Sequence, residues 1–246
     1  MKKLFLSMFL ACVPFYFQAQ EITGFGPAAA EKQIALEKQF DALLDAENLD
    51  AWMKKMTEKP HWVGTPFGEE NAKWMKEQFE SWGYDARIET YQVLFPYPKV
   101  RLLELTEPEP FTASLTAVPV DGDPYTAQGD ALLPSYNAFS TDGDVEAELV
   151  FVNYGIPSDY EELEKLGIDV KGKIVIAKYY GSWRGIKPKL AAEKGAIGCI
   201  IYSATSDDGY YQGAVYPEGA FNNATGVQRG CVMDMPLYPG AVLTPG

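Results

Sequence analysis

Between residues 148 and 202 the chain alternates short apolar runs with amphipathic segments in a strand, helix, strand, helix, strand order, and no other feature restricts its possible folds as tightly. Apolar runs over 148–154, 173–179 and 197–202 read as strands, and the segments 158–166 and 188–194 between them read as helices. The punctuation agrees. Ser158 with Glu161 three residues on spells a capping box, Gly167 and Gly195 sit just past the two helices, and Pro188 falls in a first turn where a missing N–H costs nothing. This alternation predicts an α/β layer arrangement with partly parallel strands.

Upstream the periodicity is helical. Ile34, Leu36, Phe40, Leu43 and Leu44 predict a helix over about 30–45. Leu49, Trp52, Met53 and Met56 predict a second that Pro60 stops, and Ala72, Met75, Phe79 and Trp82 a third over 69–82 closed by Gly83. These stripes, which hold or adjoin four of the five tryptophans, are expected to pack into a core. Ile88, Thr90, Tyr91 and Val93 then predict a strand over 84–94, and the break at Phe95-Pro-Tyr-Pro98 marks a domain boundary. Residues 99–145, cut by Pro108, Pro110, Pro119, Pro124 and Pro134, read as β-rich with long connections, and the stretch after Ser203 as loop-rich.

At 246 residues and 47% hydrophobic the chain can bury a sizeable core, and its formal charge of −13 argues against nucleic acid or an anionic membrane surface as a partner. Residues 1–20, with Lys2-Lys3, an apolar run from Leu4 to Phe17 and a polar end, have the layout of a secretory signal peptide, so a secreted or periplasmic protein is expected. The run is shorter than the roughly 20 residues that span a bilayer. Cys12 after Leu10-Ala11 leaves lipid attachment, and with it a membrane link, as the alternative fate. Only Cys199 and Cys231 follow the leader, too few for a disulfide framework; Cys199, inside an apolar run, is expected as a buried free thiol.

Nucleophile elbows, phosphate loops, His-Glu-x-x-His and Cys-x-x-Cys motifs are all missing from the sequence, and His61 is its one imidazole, so a complete catalytic zinc site cannot be assembled from it. His61 itself reads as a packed or turn-stabilising side chain. Arg184, Lys187 and Lys189 lie where a predicted strand joins a predicted helix, a place where α/β folds expose functional side chains; as residues they read as a solvated basic cluster able to meet an anion.

Four segments in order, Lys173-Ile-Val-Ile-Ala-Lys178, Trp183-Arg-Gly-Ile-Lys-Pro-Lys189, Gly226-Val-Gln-Arg-Gly230 and Leu243-Thr-Pro-Gly246, together with Pro60-His-Trp-Val-Gly-Thr65, resemble the glutamate carboxypeptidase II group of zinc exopeptidases, to which the transferrin receptors also belong. The resemblance runs from about Leu49 to Gly246. It implies residues 30–95 as the opening of a zinc-exopeptidase α/β domain and residues 96–246 as an inserted, β-rich protease-associated (apical) domain. It further implies a peptide-hydrolysing carboxypeptidase with two zinc ions whose ligands lie beyond Gly246, homodimeric at full length, so that this chain alone is expected to be inactive.

Arg184 matches the arginine that grips a substrate carboxylate in that family, and Thr244 matches a threonine of a structural calcium site. Gln228 and Arg229 are expected to brace their loop. One departure is Cys231, where glutamate carboxypeptidase II has an asparagine that helps hold the same glutamate, which weakens the expectation of glutamate preference. The alternative reading is a non-catalytic, transferrin-receptor-like or protease-associated binding module.

Overall fold

The computed structural model describes residues 22–127 and 129–234; the leader with Cys12, and Thr244 with its Leu-Thr-Pro-Gly segment, lie outside the described residues. The chain parts into two compact units between Lys55 and Met56. The first holds α1 (Pro27–Asp41) and most of α2 (Ala46–Thr57). Proline at the start of α1 is preorganised for a first turn, which places the helix three residues earlier than its apolar stripe suggests. The stripe does not enter a core. Leu36, Phe40, Leu43 and Leu44 are all exposed, and so are Leu49 and Met53 of α2, against the expectation of core packing. Ala30 alone among α1 residues is buried.

The second unit opens with α3 (Pro66–Ser81). Thr65 caps it, its Oγ1 accepting from Gly68 N at 3.3 Å while donating to Trp62 O at 2.8 Å, and Pro66 takes the first turn. Phe67 and Asn71 are buried, with Asn71 Nδ2 donating to Met56 O at 2.9 Å. Met75, Phe79 and Trp82 at the far end are exposed, again unlike the expected core stripe. Phe79 instead meets Trp82 and Tyr84 edge-on.

No strand forms over 84–94. Tyr91 and Val93 stand exposed without a ladder partner, and β propensity without a neighbouring strand fixes nothing. The β-rich expectation for 99–145 reduces to short pieces: β1 (Glu104–Leu105) pairs antiparallel with β2 (Phe111–Thr112), a 3-10 turn covers Gly129–Ala131, and β3 (Asn137–Ala138) pairs in parallel with β7 (Gly230–Cys231) far along the chain.

The predicted α/β alternation is present as β4 (Leu149–Phe151), α4 (Pro157–Lys165), β5 (Ile174–Lys178), α5 (Ile186–Glu193) and β6 (Gly198–Tyr202), forming a wholly parallel sheet in the order β4-β5-β6. Val150, Val152, Val175 and Ala177 point to one face, where Tyr160 and Leu163 of α4 and Leu190 and Ala191 of α5 cover them. Val175 and Ala177 on the central strand reach 0% exposure, whereas Leu149 and Phe151 on the edge strand face outward.

The cap of α4 differs from the expected box. Ser158 lies inside the helix, and Asp159 serves the N-terminus: its carboxylate accepts from Ile156 N at 3.2 Å, Tyr154 N at 3.1 Å and Asn153 Nδ2 at 2.9 Å. Three acceptances, on a carboxylate near the positive end of the helix, make this the better cap than a hydroxyl. Pro188 keeps its first-turn place, and Gly83, Gly167 and Gly195 each follow a helix with positive φ.

Candidate functional site

The C-terminal ends of β4, β5 and β6 meet at one edge of the parallel sheet, where loops rather than ladders decide what is presented. Three basic residues were expected there as one solvated cluster. The structure sends them to three different environments.

Lys187 is 0% exposed, a correction to the solvated reading. Position two of α5 faces the sheet, and the Nζ donates to Tyr154 O at 2.5 Å and Tyr180 O at 2.8 Å, tying together the chain just past β4 and just past β5. Burial pushes its pKa below the ordinary lysine value, with the neighbouring Cys199 and Asp159 opposing the shift. The phenols of the same two tyrosines continue the network into the loop after β6, Tyr154 donating to Asp207 at 3.1 Å and Tyr180 to Asp208 at 3.2 Å. Lys189 points outward and pairs with Asp234 at 2.7 Å, so it offers no free cation.

Arg184 is intermediate in exposure, at 9%, on the turn that leads from β5 into α5. Its Nη1 donates to Cys231 O at 3.2 Å, and its Nη2 donates to Tyr179 Oη at 3.3 Å and to Gln228 Oε1. The guanidinium also stacks over the Tyr179 ring, 4.8 Å from its centroid. Every one of these partners is neutral. Among the described residues no carboxylate pairs with Arg184, although the chain carries an excess of acid.

Hydrogen bonds satisfied by neutral oxygens leave a partly buried charge uncompensated, and such a charge favours an anionic ligand. Of the five guanidinium N–H groups, three are engaged in these bonds. Trp183 beside it is half exposed and donates from Nε1 to Met233 O at 3.4 Å.

Two glycines make the seat possible. A Cβ on Gly230 would stand 2.2 Å from Arg184 Nη1, so the flat guanidinium can lie on β7 only where no side chain intervenes. A Cβ on Gly185 would meet Met233 O at 2.8 Å, so the glycine lets the turn close against the segment after β7. The Gly226-Val-Gln-Arg-Gly230 segment alternates sides: Gln228 turns to Arg184, while Arg229 Nε donates to Leu133 O at 2.7 Å. Both thus brace the segment, as read from sequence. Tyr179, and the backbone carbonyl of Cys231, were not anticipated; Tyr179 carries only the generic signal of an aromatic next to the Arg184 loop.

Cys199 and Cys231 are both free thiols. Cys199 packs against the sheet core, and burial raises its pKa to about 11. His61 is exposed, its Nδ1 3.1 Å from Lys59 O, and its ring meets Phe67 edge-on. Among the described residues no group of three or more His, Cys, Asp or Glu side chains could hold a metal ion.

Residues 145–232, which contain the whole β4–β7 region just described, match the family model of the PA (protease-associated) domain. A probable glutamate carboxypeptidase of Arthroderma benhamiae is 36% identical over 202 residues, covering 80% of this chain and 27% of the relative. A glutamate carboxypeptidase 2 homolog of Caenorhabditis elegans is 30% identical over 214 residues, covering 80% and 27%. The chain belongs to the glutamate carboxypeptidase II-like family.

Within that family the mouse aminopeptidase NAALADL1 is 28% identical over 221 residues, covering 82% of this chain. A solved aminopeptidase from an Aneurinibacillus species aligns with a TM-score of 0.41 at 23% identity, over 76% of this chain and 35% of that one. This family member spans a little over a quarter of the length of the curated relatives it matches. Arg184, Gln228 and Cys231 all fall inside its PA domain.

Proposed function

We propose that this chain supplies the carboxylate-anchoring part of a secreted or periplasmic zinc exopeptidase of the carboxypeptidase type. In this reading residues 1–20 are the leader, 30–95 open the peptidase domain and 96–246 belong to the inserted PA domain. The printed names of the relatives, glutamate carboxypeptidases and an aminopeptidase, support peptide hydrolysis as the reaction class.

The observation that carries the proposal is the uncompensated Arg184 guanidinium, held flat by Gln228, Tyr179 and the Cys231 carbonyl. A planar fork fixed in this way can accept the terminal carboxylate of a peptide and so set the register of the chain in the cleft. Fixing one end of the substrate converts binding energy into orientation of the scissile bond. The described residues do not fit a zinc site, so no step is derived through the metal; a calcium site involving Thr244 and a homodimer belong to the same proposal. Cys231 in place of an amide side chain predicts weaker selection for a glutamate side chain than for the free carboxylate itself.

Isothermal titration of the chain with N-acetylglutamate and with its α-amide tests the reading. The acid should bind, the α-amide at least about tenfold more weakly, and Arg184→Gln should abolish the difference. Arg184→Lys, which keeps the charge and loses the fork, should retain part of it. Equal binding of acid and amide would overturn the assignment, as would full binding by a folded Arg184→Gln. The chain by itself is expected to hydrolyse no peptide, with or without added zinc.

A further inference from the structure

A second cleft, of about 650 Å³, opens on the far side of the Gly226–Gly230 segment and does not include Arg184. Trp62, Val118, Tyr125, Leu132, Val227 and Arg229 line it, a largely apolar wall that also carries Lys59, His61 and Asp123. Its volume falls in the range of small-molecule sites. Its walls are tied rather than merely adjacent. Trp62 Nε1 donates to Ala131 O at 3.1 Å, and the indole stacks on Phe95 and Tyr97 at 5.9 and 5.6 Å. Thr126 Oγ1 receives Val120 N at 2.8 Å.

The charges are unbalanced. Asp123 spends one oxygen on Tyr125 N at 3.0 Å and the other on Tyr216 Oη at 3.3 Å. Arg229 uses its Nε on Leu133 O, and Arg101, outside the lining, donates from Nη1 to Leu115 O and to Ser135 O and Oγ. Among the described residues neither guanidinium has a carboxylate within ion-pair distance. Desolvation, and after it the charge of Arg101, lowers the pKa of Arg229 from its ordinary value. With both oxygens of Asp123 already engaged, Lys59 and Arg229 on the lining and Arg101 near Arg229 leave the cleft with more cations than carboxylates, which favours an anion there.

We propose that this cleft binds a small carboxylate with an aromatic or branched apolar body, the carboxylate on Arg229 with Arg101 behind it and the body against Trp62, Tyr125 and Val227. The site is separate from Arg184 and does not depend on the role proposed for that residue.

Phenylacetate titrated calorimetrically into the full chain tests it, with phenylacetamide and acetate as the probes that lack the charge or the ring. Phenylacetate should bind, with phenylacetamide and acetate each at least about tenfold weaker. Arg229→Met should cost a similar factor, Arg229→Lys should recover part of it, and the Arg229-dependent binding should persist in Arg184→Gln. Failure of phenylacetate to bind below about 10 mM overturns the proposal. So does acetate binding as well as phenylacetate, which marks a surface anion site only, or phenylacetamide binding as well, which marks an apolar patch only. Loss of binding in Arg184→Gln with retention in Arg229→Met would place the ligand at the other site and overturn it equally.

Discussion

The β4–β6 sheet with its two helices and the helices α1–α3 are written in the same sequence language, apolar stripes punctuated by prolines and glycines, yet they end differently. Val175 and Ala177 are wholly buried, whereas Leu43 is 81% exposed. A stripe states that a face wants cover; it does not state where the cover comes from. In the βαβ units it comes from the next element in the chain, because each crossover helix folds back over the strands it joins. Much of the apolar surface of α1, α2 and the end of α3 stays exposed instead, and the chain spans only 27% of the relatives in which homologous segments occur.

Breaking the comparison at its strongest point should give the largest effect. Val175→Asp puts a charge at the centre of the sheet core and should abolish the cooperative unfolding transition, a loss of more than about 4 kcal/mol followed by circular dichroism and denaturant titration. Lys187→Met should cost about 2–4 kcal/mol by stranding two partly buried carbonyls, while Lys189→Met, which cuts only an exposed pair, should leave stability nearly unchanged. Equal costs for the two lysines would refute the division of the basic cluster. Gly230→Ala should cost about 1–3 kcal/mol and also weaken carboxylate binding, because the new methyl displaces Arg184.

A pH series sharpens the contrast further. The folded-state pKa of Cys199 is raised to about 11 and that of Tyr160 to about 12, both chiefly by burial. The folded sheet therefore keeps protons that the unfolded chain has released, so stability present below pH 9 should fall as pH rises through 11 towards 12. Lys187, shifted downward, opposes this: its penalty is relieved as the pH rises through its folded pKa. Cys199→Ala should flatten the first part of the decline in urea-unfolding free energies. The smallest effect belongs to the open helices. Leu43→Ser should change stability by no more than about 0.5 kcal/mol, and a loss above about 1.5 kcal/mol would show that its face is covered after all.

Legibility in the sequence followed the same division. The α/β order, both crossover helices and the glycine stops were readable because each signal is local and each element's partner is its neighbour. Two helices start three residues ahead of the position their apolar repeats predict, where Thr65-Pro66 and Pro27 open them. The strand expected over 84–94 failed because a strand needs a partner, and composition names none.

The motifs single out Arg184 and Gln228, and the structure sets the two side chains in contact, while carboxylate binding by Arg184 is the proposal. Lys187 was not, since lysine on a short helix between two other basic residues looks like solvent-facing charge. Its burial depends on two carbonyls, at 154 and 180, that no pattern marks.

The central claim is that Arg184 carries an unpaired charge awaiting a carboxylate. Nitrogen-15 spectra of arginine-labelled chain during titration with N-acetylglutamate measure it most directly. The account predicts that the side-chain resonance absent from Arg184→Gln moves and saturates, while that of Arg229 stays in place. An Arg184 resonance that does not move as the ligand approaches saturation of any other signal would contradict it.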